Sequence, residues 1–326
     1  MHVNIYRGKH IESRHNIHAT IMDANNKLIF SCGNPNYITC IRSSFKPFQA
    51  YPVIHHQGHI KYNFTSSEIA LLCASHNGEP RHIRSARNML KKIKLSHKHL
   101  ECGKHLPSHK NTKKQIIQNQ IKLNSLYNNC SGKHVGMLTL SKLLTCKSKN
   151  YISYNHRVQQ AIMQHLYKNH SVKPLSIGVD GCGASAPFFT IKDIAKLYLD
   201  FGTSNNSAYQ VLYNAITKHP QMIAGNKRFD SFFTKLMEGS GMCKGGGEGV
   251  IGLYLNSRKY GPISLAVKVE DGNHRARAIA VINLLKEIQA LSTTIQSKLN
   301  QFIQINRLNH NNRKIGFIST EISKLH

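Results

Sequence analysis

Six short segments combine nucleophilic or ionisable side chains with small residues. They are Arg42-Ser43-Ser44-Phe45-Lys46-Pro47, Ala74-Ser75-His76-Asn77-Gly78-Glu79-Pro80, Asn129-Cys130-Ser131-Gly132-Lys133-His134, Gly178-Val179-Asp180-Gly181-Cys182-Gly183, Lys244-Gly245-Gly246-Gly247-Glu248-Gly249 and Val267-Lys268-Val269-Glu270-Asp271-Gly272. The chain has only 15 Asp+Glu, yet Glu79, Asp180, Glu248, Glu270 and Asp271 all fall inside these segments. Acids kept for solubility would be spread over the surface. This concentration points to acids with specific partners.

Ser43 and Lys46 stand three residues apart, a spacing that puts hydroxyl and amine on one face of a helix. A serine becomes a nucleophile when a base takes its proton. A lysine is such a base only when neutral, a state favoured by desolvation or by nearby cations. Arg42 and a second lysine would supply those cations. S-x-x-K alone is common on surface helices. An early S-x-x-K joined to a late lysine–glycine segment is the arrangement of serine acyl-enzymes. With Ser75 in the middle position there are two Ser–Lys pairs, Ser43 with Lys46 and Ser75 with Lys244. Cys130-x-x-Lys133 together with Cys182 could hold a soft or borderline metal such as zinc. The competing reading is that both cysteines are small buried hydrophobes. The segment 244–249 lacks the Gly-Lys-Ser/Thr ending of a phosphate-binding loop, and no dinucleotide fingerprint follows a strand. No organic cofactor is expected.

Elements must position these groups. Residues 17–32 alternate around Asp23-Ala24-Asn25-Asn26, a hairpin pattern. A helix is predicted from Pro47 through Gln49 and Tyr51, and Thr65-Ser66-Ser67-Glu68 reads as a capping box before Ile69–Cys73. Helical spacing recurs at 80–94, 133–146, 156–168, 191–201, 207–218, 228–238, 274–291 and 293–305. Strands are predicted at 175–179, 249–256 and 262–269, with a turn at Asn256–Gly261. The polar, lysine-rich segment 97–125 reads as a mobile insert and 306–326 as a C-terminal tail. A hairpin, many helices and late antiparallel strands make an α+β domain, taken as a single catalytic domain over 1–326.

The charge is extreme: 44 Lys+Arg give a formal net charge of +29. It favours phosphate-rich partners. The cations run from Lys9 to Lys324, however, and Lys, Asn, Ile and His are abundant while Trp is absent, as compositional drift would produce. The densest stretch, Arg81–Lys114, keeps a nucleic-acid partner open. Apolar runs such as Ala278–Leu285 fall well short of the roughly 20 residues of a membrane span. The opening MHVNIYRGKH lacks the apolar core of a secretory signal, so the expected location is cytoplasmic. The eight cysteines contain no C-x-x-C pair and are expected to be reduced thiols.

Taken together, the segments resemble the L-asparaginase II family, the rhizobial-type asparaginases. The resemblance runs from Arg7 to about Ala278. It adds Glu12-Ser13-x-His15 and His219-Pro220-x-Met222-x-Ala224-Gly225-x-x-Arg228-x-Asp230 to the segments above. It implies a serine β-lactamase/glutaminase-like fold, an antiparallel sheet flanked by helices with a helical region. It also implies hydrolysis of L-asparagine to L-aspartate and ammonia. Ser43 and Lys46 would be the first catalytic pair and Ser75 with Lys244 the second. Ser43 would be the nucleophile and Lys46 its base, although the two serines could exchange roles. Cys130, Lys133 and Cys182 match a zinc site, and Arg42, His134 and Asp180 match positions that bind the substrate's charged ends or orient ligands. A homodimer is expected through the resemblance. The chain departs from the family at His156-Arg157, at the late Pro187 and at Val135. A basic nucleic-acid-binding protein on an inactive scaffold of this kind is the alternative. A penicillin-recognising acyl-enzyme is a third reading.

Overall fold

The structure is a computed structural model that describes residues 1–170, 172–303 and 305–322. In chain order it begins with β1 (His2–Arg7), β2 (His10–Asp23), β3 (Leu28–Cys32) and β4 (Ile38–Cys40). Helices follow: α1 (Lys46–His55), α2 (Gly58–Lys61), α3 (Ser66–Leu72), α4 (Pro80–Lys92), α5 (Lys110–Gln118), α6 (Ser131–Leu143) and α7 (Arg157–Asn169). After β5 (Ser176–Val179) and β6 (Ser185–Thr190) come α8 (Ile191–Thr203), α9 (Ser207–Lys218), α10 (Pro220–Ile223) and α11 (Phe229–Leu236). The chain ends with β7 (Gly241–Gly245), β8 (Val250–Ser257), β9 (Gly261–Val269), α12 (His274–Glu287), α13 (Thr293–Leu299), β10 (Asn306–Leu308) and β11 (Lys314–Glu321). These elements form two compact units, each assembled from separate stretches of sequence. A sheet unit holds Met1–Ser44, Phe189–Thr203 and Ser240–His326, and a helical unit holds Phe45–Phe188 and Ser204–Gly239.

The sheet unit carries an eight-stranded sheet in the order β10-β11-β1-β2-β9-β8-β7, with β3 paired to β2 off that path. Its strand pairings are antiparallel. The predicted hairpin is β2–β3, and Asp23 Oδ1 accepts the N–H groups of Asn25 and Lys27, each at 2.9 Å, to close the turn. Helices cover both faces. A Cβ on Gly252 of β8 would meet the Tyr198 ring of α8 at 2.0 Å, whereas one on Gly245 of β7 would meet Arg277 of α12 at 2.5 Å. Gly252 pairs with Lys244 and Gly245 with Ile251. Partners directly opposite point to one face, so α8 and α12 lie on opposite faces. With both faces covered, β8 and β9 are buried almost throughout. The segment from 306, read as a tail, instead supplies β10 and β11. Strand β11 pairs along the whole of β1, and Tyr6 stacks on Phe317 at 4.5 Å between ring centres.

The helical unit packs α1, α3, α4, α6, α7 and α9 around apolar residues such as Phe48, Leu71, Leu138 and Ile162. The predicted capping box is present. Thr65 Oγ1 accepts the Glu68 N–H at 3.3 Å and Glu68 Oε2 accepts the Thr65 N–H at 2.8 Å. Within 97–125, α5 forms on a cap in which the His109 ring accepts the Thr112 N–H, and Thr112 and Ile116 are buried beneath it. Strands β5 and β6 form a hairpin, pairing Val179 with Ser185. An antiparallel sheet flanked by helices, with a helical region, is the α+β architecture the sequence implied. Among the described residues no helix is long and apolar enough to cross a membrane.

Candidate active site

Lys46 opens α1, with Pro47 behind it fixing the first turn. Its side chain is wholly buried. Its Nζ donates to Ala74 O at 2.6 Å and to Ser75 Oγ at 2.7 Å. Ser75 sits on an extended stretch after α3. Ser75 N–H donates to Ile223 O at 2.8 Å, Asn77 N–H to Ala224 O at 2.9 Å and His76 N–H to Asn129 O at 3.2 Å. Backbone on both sides therefore fixes the hydroxyl against the amine. His76 braces the same stretch. Its Nδ1 accepts the Gly78 N–H, which leaves Nε2–H to donate to Ser131 Oγ at 2.8 Å. Burial holds this imidazole neutral, far below its ordinary pKa.

Next to this pair lies a sulfur cluster. Asn128 Oδ1 accepts the Cys130 N–H at 2.8 Å and Asn128 Nδ2 donates to Cys102 O at 2.7 Å, which sets the turn into α6. Gly132 is required there, because a Cβ would stand 2.2 Å from Leu71 O. From the other side the β5–β6 turn brings Asp180 and Cys182. Gly183, at φ +85°, supplies the left-handed residue of that turn. Lys133 Nζ donates to Cys182 Sγ at 2.9 Å and lies 3.6 Å from Asp180 Oδ2. Cys182 Sγ lies 3.4 Å from Asp180 Oδ2. The ligand atoms of Cys130, Asp180 and Cys182 all lie within 4.8 Å of one another. A hydrogen bond from Cys182, helped by Lys46 and Lys133, holds the Cys130 thiol well below its usual pKa against the opposing pull of burial. The hydrogen bond to Cys130 and burial push Cys182 the other way. Burial disfavours charge on Lys133, but Cys130, Cys182 and Asp180 outweigh it and keep the ammonium charged. Two sulfurs and a carboxylate suit a soft or borderline divalent ion. Cys102, buried nearby, is pushed up to about 12 and stays a thiol.

His134 follows on α6 and is fully buried. Tyr151 OH accepts the Glu101 N–H at 2.8 Å and is hydrogen-bonded to His134 Nδ1, also at 2.8 Å. His134 Nε2 has no hydrogen-bond partner among the described residues. Burial first, with Lys133 and Lys46 adding to it, keeps the ring neutral.

The other half of the predicted set belongs to the sheet unit. Ser43 is half-buried in a 3-10 turn, Arg42–Phe45, and Arg42 adopts φ +50°, unusual for a side-chain-bearing residue. The neighbouring Ser44 is structural. Its Oγ donates to Lys244 O at 2.6 Å and its carbonyl accepts Tyr198 OH at 2.8 Å. Lys244 is buried on β7, facing the α8 side, with Nζ donating to Gly245 O at 2.9 Å. The glycines beyond it leave room for their neighbours: a Cβ on Gly246 would meet Ile41 O at 2.8 Å, and one on Gly247 would meet Arg42. Arg277 Nη1 donates to Gly246 O at 2.8 Å. Lys268 Nζ donates to Glu248 O at 2.7 Å, to Val269 O and to Glu270 O at 3.3 Å. His15 belongs to a separate brace. It accepts from Arg275 Nε at 2.9 Å and donates to Asp271 Oδ2 at 2.6 Å.

The helical unit thus brings together Lys46, Ser75, Cys130, Lys133, His134, Asp180 and Cys182. Arg42, Ser43 and Lys244 lie in the sheet unit, and the chain passes from one unit to the other between Ser44 and Phe45. Spacing paired Lys46 with Ser43, whereas the serine hydroxyl found on Lys46 within its own unit is that of Ser75. Asp180, read as a substrate contact, stands with the sulfurs, and the Asp180-x-Cys182 spacing was its signal. Sequence reasoning missed Tyr151, Tyr198 and Ser131, whose partners are 17, 154 and 55 residues away.

The sequence profile of the L-asparaginase II family matches residues 3–320. No curated protein matches the chain. Among solved structures, the native form of Mglu is similar at 10% identity and TM-score 0.37, covering 84% of this chain and 64% of that one. A beta-lactamase from Burkholderia ambifaria is similar at 11% identity and TM-score 0.40, covering 85% and 96%. A beta-lactamase from Chitinophaga pinensis is similar at 10% identity and TM-score 0.37, covering 87% and 89%. The chain therefore spans about two thirds of the Mglu chain's length.

Proposed function

Because the chain belongs to the L-asparaginase II family, we propose that it is an amidohydrolase that releases ammonia from the side-chain amide of L-asparagine through a serine–lysine acyl-enzyme. The observation that carries this reading is the buried hydrogen bond of 2.7 Å between Lys46 Nζ and Ser75 Oγ. A lysine placed there can accept a proton from a serine and pass it on.

In this reading a serine hydroxyl, that of Ser43 or of Ser75, attacks the amide carbon, and a lysine takes its proton. The C–N bond breaks, the nitrogen takes that proton, and ammonia leaves behind an aspartyl ester on serine. Water, deprotonated by the same lysine, adds to the ester carbon; the C–O bond to serine breaks, the lysine returns the proton to the serine oxygen and L-aspartate leaves. Arg42 suits a carboxylate and Asp180 an ammonium, and His134, hydrogen-bonded to Tyr151, suits the orientation of ligands. Zinc fits the donor set of Cys130, Cys182 and Asp180, with Lys133 as a fourth group after losing its proton. It would supply Lewis-acid polarisation of a substrate oxygen. The Lys46–Ser75 hydrogen bond also favours a second reading in which Ser75 is the nucleophile. Selection against glutamine rests on one methylene, worth about 1–3 kcal/mol. The same proposal takes the protein as a cytoplasmic homodimer, which sedimentation equilibrium and cell fractionation test.

Ammonia release from L-asparagine and L-glutamine, measured for wild type, Ser43→Ala, Ser75→Ala and Lys46→Met, separates these readings. Loss of about 1,000-fold or more in Ser43→Ala places the nucleophile there. Retained activity in Ser43→Ala with loss in Ser75→Ala moves it to Ser75. Absence of turnover by folded, zinc-supplied wild type sinks the amidohydrolase reading.

A further inference from the structure

Three adjoining cavities of the helical unit, of about 520, 440 and 520 Å³, all open onto Asn226. Arg81 is shared by two of them and Lys227 by two. Together they make a continuous groove walled by α4, α9, α11 and the loop 225–228. Its cations are Arg81 and Arg84 from α4, Lys218 from α9, Lys235 from α11, and Lys227 and Arg228 from the loop. Lys110 adds one more at the start of α5. The one acid lining it, Glu79, is buried and already answered by Arg81 Nε at 3.0 Å.

The groove is built rather than incidental. Glu79 Oε1 accepts the Asn226 N–H at 2.6 Å and Asn77 Nδ2 at 2.8 Å, which clamps the loop from below. Gly225 N–H donates to Ser231 Oγ at 3.1 Å. Gly225, at φ +115°, could not carry a Cβ, which would stand 2.4 Å from Asn77. Lys227 is held at φ +60°. Compositional drift would spread lysines over every concave surface. A larger cavity of the same unit, about 870 Å³ between Asn150 and Ser185, is lined by no charged residue. The charge is therefore concentrated, and a cleft lined by one sign focuses its field on an oppositely charged ligand.

We propose that this groove is a second binding site, for the phosphodiester backbone of a single-stranded nucleic acid. Arginine forks and lysine ammoniums match phosphate oxygens. A row of concave cavities follows a single strand, whereas a duplex needs a broader face. Phe232 is the only aromatic ring besides His109 in the lining, so there is no platform on which successive bases stack, and binding reads phosphates without reading sequence. None of the groove cations is assigned to the hydrolytic site.

The test is fluorescence anisotropy of a labelled single-stranded oligonucleotide across salt concentrations. Wild type binds, and log Kobs falls linearly with log salt. The triple variant Arg84→Gln/Lys218→Gln/Lys235→Gln loses about 2 from that slope, at about 0.7 per phosphate contact, and binds at least about 10-fold more weakly near 0.1 M salt. A control triple variant of equal charge change, Lys147→Gln/Lys149→Gln/Lys168→Gln, binds as wild type does. Equal weakening in the control, no binding by wild type at low salt, or equally tight binding of a duplex overturns the proposal. Ammonia release is unchanged in both triple variants, so failure here leaves the hydrolase reading standing.

Discussion

Single residues in the candidate site are constrained by what would otherwise occupy their space. Gly132 is the sharpest case. It lets α6 approach α3 until a Cβ would stand 2.2 Å from Leu71 O and 2.7 Å from Leu71 Cγ. A backbone oxygen cannot step aside as a flexible side chain can. Gly132→Ala is therefore expected to cost about 1–3 kcal/mol by overpacking. The urea midpoint falls at unchanged m-value; an unmoved midpoint would mean that α3 and α6 separate freely. The same logic explains why the segment around Cys130 was legible. Asn128 caps, Gly132 makes room and Lys133 meets Cys182, so each residue type answers a local need. The Lys46–Ser75 contact was not legible, because α1 and the stretch after α3 meet only through tertiary packing, 29 residues apart.

At the scale of elements, two turns carry the chemistry. The sulfur cluster exists because the α6 N-terminus and the β5–β6 turn converge. Equilibrium zinc titration against a chromophoric chelator is expected to find one site in wild type. Cys182→Ser should weaken it more than Asp180→Asn, whose loss is about 10–100-fold; equal binding in all three would place the ion elsewhere. The glycine turn after β7 depends on Lys268, which offers its buried ammonium to the carbonyls of Glu248, Val269 and Glu270. Lys268→Met leaves those oxygens without this donor, at a cost of about 1–3 kcal/mol, read by chemical denaturation. No loss of stability would show that the turn holds without the clamp. Strand β7 was not among the strands read from the hydrophobic pattern, although the lysine–glycine segment suggested a strand at Lys244. Gly241-Met242-Cys243-Lys244-Gly245 is buried at every position, so it shows no alternation, and its glycines resemble a loop. Strands β10 and β11 escaped because they close one end of the sheet with only Gly316 fully buried, so their burial shows no alternation to read. The helices at 80–92, 157–169 and 207–218 were legible because each buries one face only, and the hairpin β2–β3 because Asp23-Ala24-Asn25-Asn26 marks its turn.

At the scale of the whole molecule, the sequence shows its charge but not which histidines are titratable. Four imidazoles of the helical unit, His76, His82, His134 and His165, are held below their ordinary pKa, chiefly by burial. His82 is lowered to about 4 and His165 to about 3. For His82 the tautomer is fixed, with Nδ1 accepting the Glu79 N–H at 3.1 Å and Nε2–H reaching Gln221 O at 3.0 Å, so a second proton has no place in the fold. Below about pH 6.5 the unfolded chain takes up these protons and the native chain does not, so stability must fall as pH falls. At about pH 5 His82 and His165 each contribute a loss of about 2 kcal/mol, and His76 and His134 act in the same direction. The net charge of +29 pushes the same way, because every added proton enters a chain that already repels itself. Urea unfolding followed between about pH 7.5 and 5 is expected to show a steep loss beginning near the histidine pKa. His82→Gln should make that loss shallower by one proton's share. A flat profile over this window would show that these rings are charged or solvated in the native state, and with it the tautomers that fix His76 and His82 would fall.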